Sequence, residues 1–389
     1  MGSKAFKPTL RNSKKISSFL NHPEKALSII HVAGSNGKGS TCSMLSSILT
    51  ESEFKVGLFT SPHIKDYTER IRINGVEIPK AYVVHFIDRI KAANFDFTPS
   101  FFEITFGLAL DYFKAEACDI CIVETGLGGK FDATNIINPI LSVITNISLE
   151  HTAMLGNTIA LIAGEKAGII KAQTPVVLGE MDIKAERIMV STAHNLESKI
   201  IQSKPFSSTS TSFNLPLLGK YQLENLTTVL ACLEELNQLH FKSTNTCIQK
   251  GLDNINQNTG FSGRMQLISL KPRLIYDVSH NPAGISASLK TLNEINNGKL
   301  HVIFGTSADK DLMNSLPLFP LSTRMYFTEF TNNRSLKIAT FRQASETLNF
   351  EEKSYFTNPK QALKAATKQS SNTDTILIIG SFFLISDFL

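Results

Sequence analysis

A glycine-rich segment near the start of the chain carries residue types that can bind a phosphate chain. The apolar run Ile29–Ala33 passes into Gly34-Ser-Asn-Gly-Lys-Gly-Ser-Thr41, and an amphipathic segment follows. This order predicts a strand, a loop and a helix whose first N–H groups converge on an anion. The lysine would bring its charge to the β- and γ-phosphates, and a hydroxyl would supply an oxygen to Mg²⁺. The predicted phosphate-binding residues are Asn36, Gly37, Lys38, Gly39, Ser40 and Thr41.

This loop departs from the usual P-loop at two positions. Gly39 stands where Ser or Thr ordinarily follows the lysine, and Val32 stands where a glycine precedes the loop. An ordinary turn between a strand and a helix is the alternative interpretation, because glycines are common there. The run Gly-Lys-Gly-Ser directly after a strand favours a phosphate-binding loop.

Polar residues follow other predicted strands, at the edge where open α/β sheets bind ligands. Glu124 ends an apolar run and precedes a second glycine-rich segment, which is the arrangement of a carboxylate that holds Mg²⁺ beside a phosphate loop. Ser61 follows another predicted strand, and His151 follows a third. A structural ion pair for Glu124 and a packed, hydrogen-bonded side chain for His151 are the alternatives. Lys166 follows Glu165 on a predicted helix, where such a pair alone indicates a solvated face.

Short apolar runs alternate with helical patterns along the chain, which predicts an α/β fold with mostly parallel sheets. Asn74-Gly75 interrupts an alternating run and predicts a hairpin with a two-residue turn. A boundary near Gln266–Lys271 divides the chain into domains 1–268 and 269–389. The Ser- and Thr-rich segment 207–212 is predicted to be a surface loop. The predicted strands are 29–33, 56–60, 120–124, 141–147, 175–179, 274–278, 301–305, 324–329 and 375–380, and the predicted helices include 101–117, 159–171 and 221–239.

The composition is that of an ordinary globular chain. Of 389 residues, 42% are hydrophobic and 19% charged, and the net charge of +5 is spread along the sequence. Because basic residues are not interleaved with aromatic ones, we expect no nucleic-acid partner. No apolar run reaches the length of about 18 residues that suggests a membrane span, and no signal peptide is evident, so we expect a cytoplasmic protein. Five cysteines in apolar patterns fit reduced thiols.

Nine motifs occur here in the order typical of one enzyme family. The chain resembles folylpolyglutamate synthase/dihydrofolate synthase, a branch of the Mur-type ATP-dependent amide ligases. The motifs span positions 31 to 282, and residues 309–311 and 380–381 match more loosely. They are 31–40, 60–63 with 69–74, 102–105, 124–129 with 132–135, 151–156, 165–169, 218–225, 263–264 and 277–282.

The resemblance implies a P-loop domain of the Mur ligase type, a smaller Rossmann-like C-terminal domain, and ATP as co-substrate. It implies two Mg²⁺ sites, the first at Ser61 and Glu124 and the second involving His151. It also implies that CO₂ carbamylates Lys166, turning a cation into an anion that can bind or orient Mg²⁺. We therefore expect Lys166 to be partly buried and to lose its proton easily. The resemblance adds Asn225, Arg264, Asp277 and His280 to the ATP-binding residues, with the nucleotide held between domains.

The resemblance further implies an acceptor that contains a pterin ring. Phenylalanine rings stack on flat heteroaromatic rings, and carboxylates accept from their amino groups. A core role is the alternative for Phe101 and Phe102. The matched positions that border the pterin are Ser100, Phe101, Phe102, Glu103, Phe131, Asp132 and Ala133.

The implied reaction adds L-glutamate to a folate or dihydropteroate carboxylate. Phosphoryl transfer from ATP makes an acyl phosphate, which the glutamate amine then attacks. The implied catalytic residues are Lys38, Glu124, His151 and Lys166, and the implied state is a monomer. Lys130 and Glu150 stand where the family commonly has Arg and Asp. Only Lys4–Lys7 matches the family's N-terminal segment, so the dihydrofolate synthase activity depends on how complete the pterin pocket is.

Two other functions stay open at this point. One is a cell-wall ligase of the same superfamily, which joins amino acids to a UDP-sugar. Such enzymes carry an additional N-terminal domain, and about thirty residues precede the loop here. The other is a nucleotide-binding regulatory protein or a degenerate ligase without turnover, which the substitutions at Lys130 and Glu150 would permit.

Overall fold

The computed structural model describes residues 9–203 and 213–389. The Lys4–Lys7 segment and the predicted loop at 207–212 lie outside the described residues. The chain forms two compact units, the first ending at Phe261 and the second running from Ser262 to Leu389. Leu217–Tyr221 also belongs to the second unit. The predicted domain boundary falls inside strand β9 (Gln266–Leu270), which pairs with the following strand in the second unit.

The first unit contains an eight-stranded sheet within the part of the chain that is described, in the order β4-β3-β2-β5-β1-β6-β7-β8. β3 and β4 are antiparallel, and the other strands are parallel. Strands β1 and β5 are buried at every position. The strands are β1 Ile29–Ala33, β2 Val56–Phe59, β3 Ile71–Ile73, β4 Val76–Glu77, β5 Ile120–Glu124, β6 Leu141–Ile144, β7 Val176–Leu178 and β8 Ile200–Gln202.

Helices cover the first sheet and carry the loops at its edge. Helix α2 begins directly after the glycine-rich loop, at Lys38. Asn74 and Gly75 both have positive φ, which is the backbone that a two-residue hairpin turn requires. The helices are α1 Arg11–Phe19, α2 Lys38–Glu51, α3 Lys80–Ala92, α4 Phe101–Ala115, α5 Thr152–Leu155, α6 Ile159–Ala167, α7 Ile183–Asn195, α8 Lys220–Gln238, α9 Asn245–Asp253 and α10 Ile255–Thr259.

The second unit contains a six-stranded sheet in the order β13-β12-β11-β14-β10-β9, of which β9 alone is antiparallel. Its helices are α11 Pro282–Ile295, α12 Leu312–Ser315, α13 Ile338–Ala344, α14 Pro359–Gln369 and α15 Phe382–Ser386. Its strands are β9, β10 Arg273–Asp277, β11 Leu300–Phe304, β12 Arg324–Thr328, β13 Glu352–Phe356 and β14 Thr375–Ile379.

The predicted α/β fold with two mostly parallel sheets is confirmed. Every predicted strand is present, and the ends differ most after β6, which stops at Ile144 rather than Ile147. The edge strands β8, β9 and β13 were not predicted. All five cysteines lie in the described part of the chain and are free thiols. Among the described helices we find no segment with the length and apolar character that crossing a membrane demands.

Candidate active site

The glycine-rich loop connects β1 to α2 at the centre of the first sheet. Gly37 has φ +80° and immediately precedes α2. A Cβ atom at this position would lie 2.2 Å from Oδ1 of Asn225, on helix α8. Two predicted nucleotide-binding residues, one on the loop and one on α8, are therefore in direct contact, and the contact requires glycine.

Residues that follow β6 brace this loop. The Thr145 hydroxyl donates to the Asn36 carbonyl at 2.6 Å, and the Asn36 N–H donates to Oδ1 of Asn146 at 2.9 Å. The Ser35 hydroxyl donates to the Ser148 carbonyl at 3.0 Å. These bracing residues were not predicted, because the predicted strand 141–147 included Thr145 and Asn146, whereas β6 ends at Ile144.

Two lysine side chains meet at the carbonyl of Gly34. Nζ of Lys38 donates to this oxygen at 2.8 Å, and Nζ of Lys166 donates to it at 2.8 Å. Ser40 and Thr41 are buried in the first turn of α2, and the Thr41 hydroxyl has no hydrogen-bond partner in the part of the chain that is described. The first turn of a helix, a lysine and hydroxyls thus lie together, as a phosphate site requires.

Lys166 is buried, with 1% of its side chain exposed, and it forms an ion pair of 2.7 Å with Glu150. The pKa of Lys166 is lowered to about 8, chiefly by burial and also by the nearby charge of Lys38, whereas the ion pair with Glu150 opposes the shift. Burial alone would raise the pKa of Glu150, but the charges of Lys166 and Lys38 bring it below its usual value. The solvated face that a Glu-Lys pair suggested is wrong for Lys166, because α6 packs this side chain inward.

Glu124 lies beside the phosphate loop, since it is the sheet neighbour of Val32 on β1. It is buried, and its Oε2 accepts from the backbone N–H of Ser61 at 2.9 Å. His151 adopts a left-handed backbone with φ +45° directly before α5. Nowhere in residues 9–203 and 213–389 do three His, Cys, Asp or Glu side chains converge on one metal position.

The segment after β5 is held by Asp132. Its Oδ2 accepts from the N–H groups of Gly126 at 3.0 Å and Leu127 at 2.8 Å. Its Oδ1 accepts from the N–H and the hydroxyl of Thr134. A Cβ atom on Gly129 would lie 3.0 Å from Cα of Lys166. The carboxylate of Asp132 thus has four donors within the protein and shapes the segment that lies against Lys166.

The predicted pterin-contacting residues occupy the start of α4 and the end of this segment. A Cβ atom on Gly126 would lie 2.5 Å from the ring of Phe102. Phe101 is 40% exposed and stacks against the guanidinium of Arg70 at 5.3 Å. Ser100 and Glu103 form a reciprocal capping box at the start of α4. Phe131 and Ala133 are partly exposed on either side of Asp132.

Three further predicted residues lie together in the second unit. The guanidinium of Arg264 lies 5.0 Å from the ring centroid of Phe382. Asp277 is buried at the end of β10 and accepts from the Ser279 N–H and the Ser288 hydroxyl. Burial raises the pKa of Asp277 above its usual value, although the hydrogen bonds from Ser279 and the nearby charge of Arg264 oppose the shift. The His280 ring lies 6.1 Å from that of Phe382.

Comparisons with known proteins agree with this architecture. The chain matches the Mur ligase middle domain over residues 32–233 and the Mur ligase glutamate ligase domain over residues 263–382. The dihydrofolate synthase/folylpolyglutamate synthase of Bacillus subtilis is 32% identical and covers 98% of this chain and 94% of its own length. The structure of Escherichia coli FolC in complex with DHPP and ADP has a TM-score of 0.89 at 28% identity, covering 100% of this chain and 94% of that one. The bifunctional folylpolyglutamate synthase/dihydrofolate synthase of Yersinia pestis, complexed with AMPPNP and Mn, has a TM-score of 0.87 at 29% identity, with coverage of 100% and 94%.

Proposed function

This chain belongs to the Mur ligase family, in the group of the folylpolyglutamate and dihydrofolate synthases, and we propose that it adds L-glutamate to a folate carboxylate with ATP. The same site would accept dihydropteroate, which makes the protein a dihydrofolate synthase as well. We further infer a cytoplasmic monomer that acts on small molecules.

The observation that carries this proposal is the contact of Lys166 with the phosphate loop. A loop that only held a nucleotide would not need a second, buried lysine on the Gly34 carbonyl, 2.8 Å away. The pKa of Lys166 is lowered to about 8. Segment 126–129 lies against Lys166 at Gly129 and against Phe102 at Gly126. The arrangement joins a triphosphate site to an acceptor site, which suits a ligase better than a regulatory nucleotide-binding protein.

Divalent metal ions fit the residues of this site. The Glu124 carboxylate and the Ser61 hydroxyl would hold the first Mg²⁺ beside the phosphates, and His151 with carbamylated Lys166 would hold or orient the second. When bound, the metals neutralise phosphate charge during transfer. The fit rests on the donor set. The buried Glu124 carboxylate accepts from the Ser61 N–H and is the sheet neighbour of Val32, two residues before the phosphate loop.

The lowered pKa of Lys166 supports its carbamylation. The neutral amine attacks CO₂, forms an N–C bond and releases one proton, so only the unprotonated fraction reacts. Glu150 lies 2.7 Å from Nζ and accepts a hydrogen bond from it. We infer that Glu150 holds the amine in place before carbamylation.

The other residues bind and orient the substrates. Lys38 would exchange its backbone acceptors for the β- and γ-phosphates, and the N–H groups from Gly37 to Thr41 would bind the phosphate oxygens. Asn225, which lies against Gly37, would contact the nucleotide beside the phosphate loop. Arg264, Asp277 and His280 of the second unit match nucleotide-contacting positions of the family, and we propose the same role for them. Phe102 would border the pterin, and the segment shaped by Asp132 would hold the acceptor carboxylate in line for phosphoryl transfer.

The proposal is tested by offering dihydropteroate and tetrahydrofolate separately with ATP, Mg²⁺ and L-glutamate, and weighing the products. We expect a mass increase of one glutamyl residue for each addition and one ADP per addition. ADP release that needs neither glutamate nor a folate would contradict the proposal. Products from only one acceptor would assign one of the two activities.

A further inference from the structure

The central strand of the first sheet carries one polar side chain that none of the roles above uses. His31 lies on β1 between Ile30 and Val32, and its side chain is fully buried. Its Nε2 lies 2.8 Å from Oγ1 of Thr134. A buried polar group costs free energy unless it is paired, and an apolar residue would fit this strand without that requirement. We therefore look for the role of the imidazole in its hydrogen bond with Thr134.

The direction of the hydrogen bond between His31 and Thr134 follows from the second hydrogen bond of the Thr134 hydroxyl. Its hydroxyl donates its single proton to Oδ1 of Asp132 at 2.5 Å, so it can only accept from His31. The imidazole is thereby the neutral tautomer with its proton on Nε2. Burial, with the nearby charge of Lys171, lowers the pKa of His31 to about 3, which agrees with a neutral ring. Nδ1 has no hydrogen-bond partner among the residues described, so Nε2–H is the group that the ring contributes.

The chain of hydrogen bonds ends on the segment after β5. Asp132 accepts from the N–H groups of Gly126 and Leu127 through its second oxygen. Gly126 lies against the ring of Phe102, and Gly129 lies against the backbone of Lys166. The His31 imidazole is thus connected, through the side chains of Thr134 and Asp132, to backbone segment 126–129. This segment runs from Phe102 to the buried Lys166.

We propose that His31 is a positioning residue that holds segment 126–129 in the shape that aligns the acceptor carboxylate. The kinetic part of this proposal rests on the proposed function, in which this segment borders the acceptor. The phosphate loop has its own braces in Thr145, Asn146 and Ser148. Nucleotide binding is therefore independent of His31, whereas use of the acceptor depends on it.

The test compares variants that remove or keep the donor. We expect His31→Leu to raise KM for the folate about tenfold or more, the effect of leaving a buried acceptor without its donor, with the nucleotide Kd nearly unchanged. His31→Gln offers an amide donor and should retain most of the wild-type KM. Thr134→Val breaks the same chain, so adding it to His31→Leu should cause little further loss.

A matched control separates positioning from general stability. His301 is also a fully buried strand histidine, on β11 of the second unit. His301→Leu should lower Tm without changing the folate KM or the nucleotide Kd. A nitrogen-15 NMR spectrum at pH 7 should show His31 with its proton on Nε2, and this measurement needs no turnover.

Several outcomes would overturn the proposal. These are a proton on Nδ1, equal rises of the folate KM and the nucleotide Kd in His31→Leu, or a His31→Gln variant as impaired as His31→Leu. Additive losses in the double variant would also contradict a single chain. If the wild-type protein transfers no glutamate, the proposed function fails, while the NMR measurement still tests the hydrogen-bond chain.

Discussion

At the scale of single residues, Lys166 gives the site a dependence on pH. Its pKa of about 8 means that the neutral amine rises from about a tenth of the population at pH 7 to about nine-tenths at pH 9. Carbamylation should therefore increase over this range at constant dissolved CO₂. The carbon-13 carbamate signal from labelled bicarbonate measures it. A signal that persists in Lys166→Met, or that decreases with rising pH, would contradict the assignment.

Glu124 should determine how tightly the divalent metal binds. Glu124→Gln keeps the shape of the side chain and an oxygen that can accept from Ser61, but it removes the negative charge. Since Mg²⁺ prefers charged oxygen ligands, we expect the Mg²⁺ concentration for half-maximal activity to rise about tenfold or more. Glu235→Gln is the matched control, because this buried acid of α8 pairs with Lys199 instead. Equal shifts in the two variants would point to a general loss of charge.

The residues of the site could be predicted from the sequence, but most of their side-chain contacts could not. Lys38 and Glu124 were expected there because each belongs to a local motif, whereas Lys166 was expected there only because the chain resembles the ligase family. The ion pair of Lys166 with Glu150 joins two different motifs, and the contact of Asn225 with Gly37 joins residues far apart in sequence. Such contacts depend on how the helices pack, which no local pattern encodes. Likewise, the capping box of Ser100 and Glu103 gives these two residues a structural role besides the predicted pterin contact.

At the scale of elements, the turn into α2 depends on Gly37. Gly37→Ala would force a side chain into a left-handed backbone and against Asn225, 2.2 Å away, so we expect nucleotide affinity to fall about tenfold or more. Gly164→Ala is the control, since Gly164 lies on helix α6 with nothing within 4 Å of the added carbon. It should raise the free energy of unfolding by about 0.5–1 kcal/mol. Isothermal titration with a nucleotide and chemical unfolding measure the two effects.

The strands that sequence analysis missed share one physical property. β8, β9 and β13 lie at sheet edges, and none of their residues is fully buried. An edge strand lacks the continuous apolar run that marks a strand covered on both faces, so its pattern resembles that of a loop. The buried central strands β1 and β5 were predicted with the observed bounds for the opposite reason.

At the scale of the whole molecule, the second unit depends on a short segment that precedes α8. Leu218 packs against the hydrophobic core of the second unit, although it lies more than forty positions before Ser262. Leu218→Ala should destabilise that unit by about 1–3 kcal/mol. Hydrogen exchange should then accelerate at the β14 amides and stay unchanged at β5.

Leu270→Ala is the matched control for this prediction. Leu270 belongs to the same unit but is 69% exposed on β9. The free energy of unfolding should change by no more than about 0.5 kcal/mol. Faster exchange in β5 after Leu218→Ala would show that the two units unfold together.

The braces of the phosphate loop affect the thermodynamics of nucleotide binding. Thr145 and Asn146 bond to Asn36, and Ser148 bonds to Ser35, so the chain loses the conformational entropy of this loop when it folds. If the loop were flexible, ordering it on binding would cost conformational entropy and weaken nucleotide affinity. A loop that is already ordered avoids this entropy cost. If the loop binds a triphosphate as we propose, its backbone N–H groups would already be held in place when the nucleotide arrives. Nucleotide association should proceed with little reorganisation of the protein.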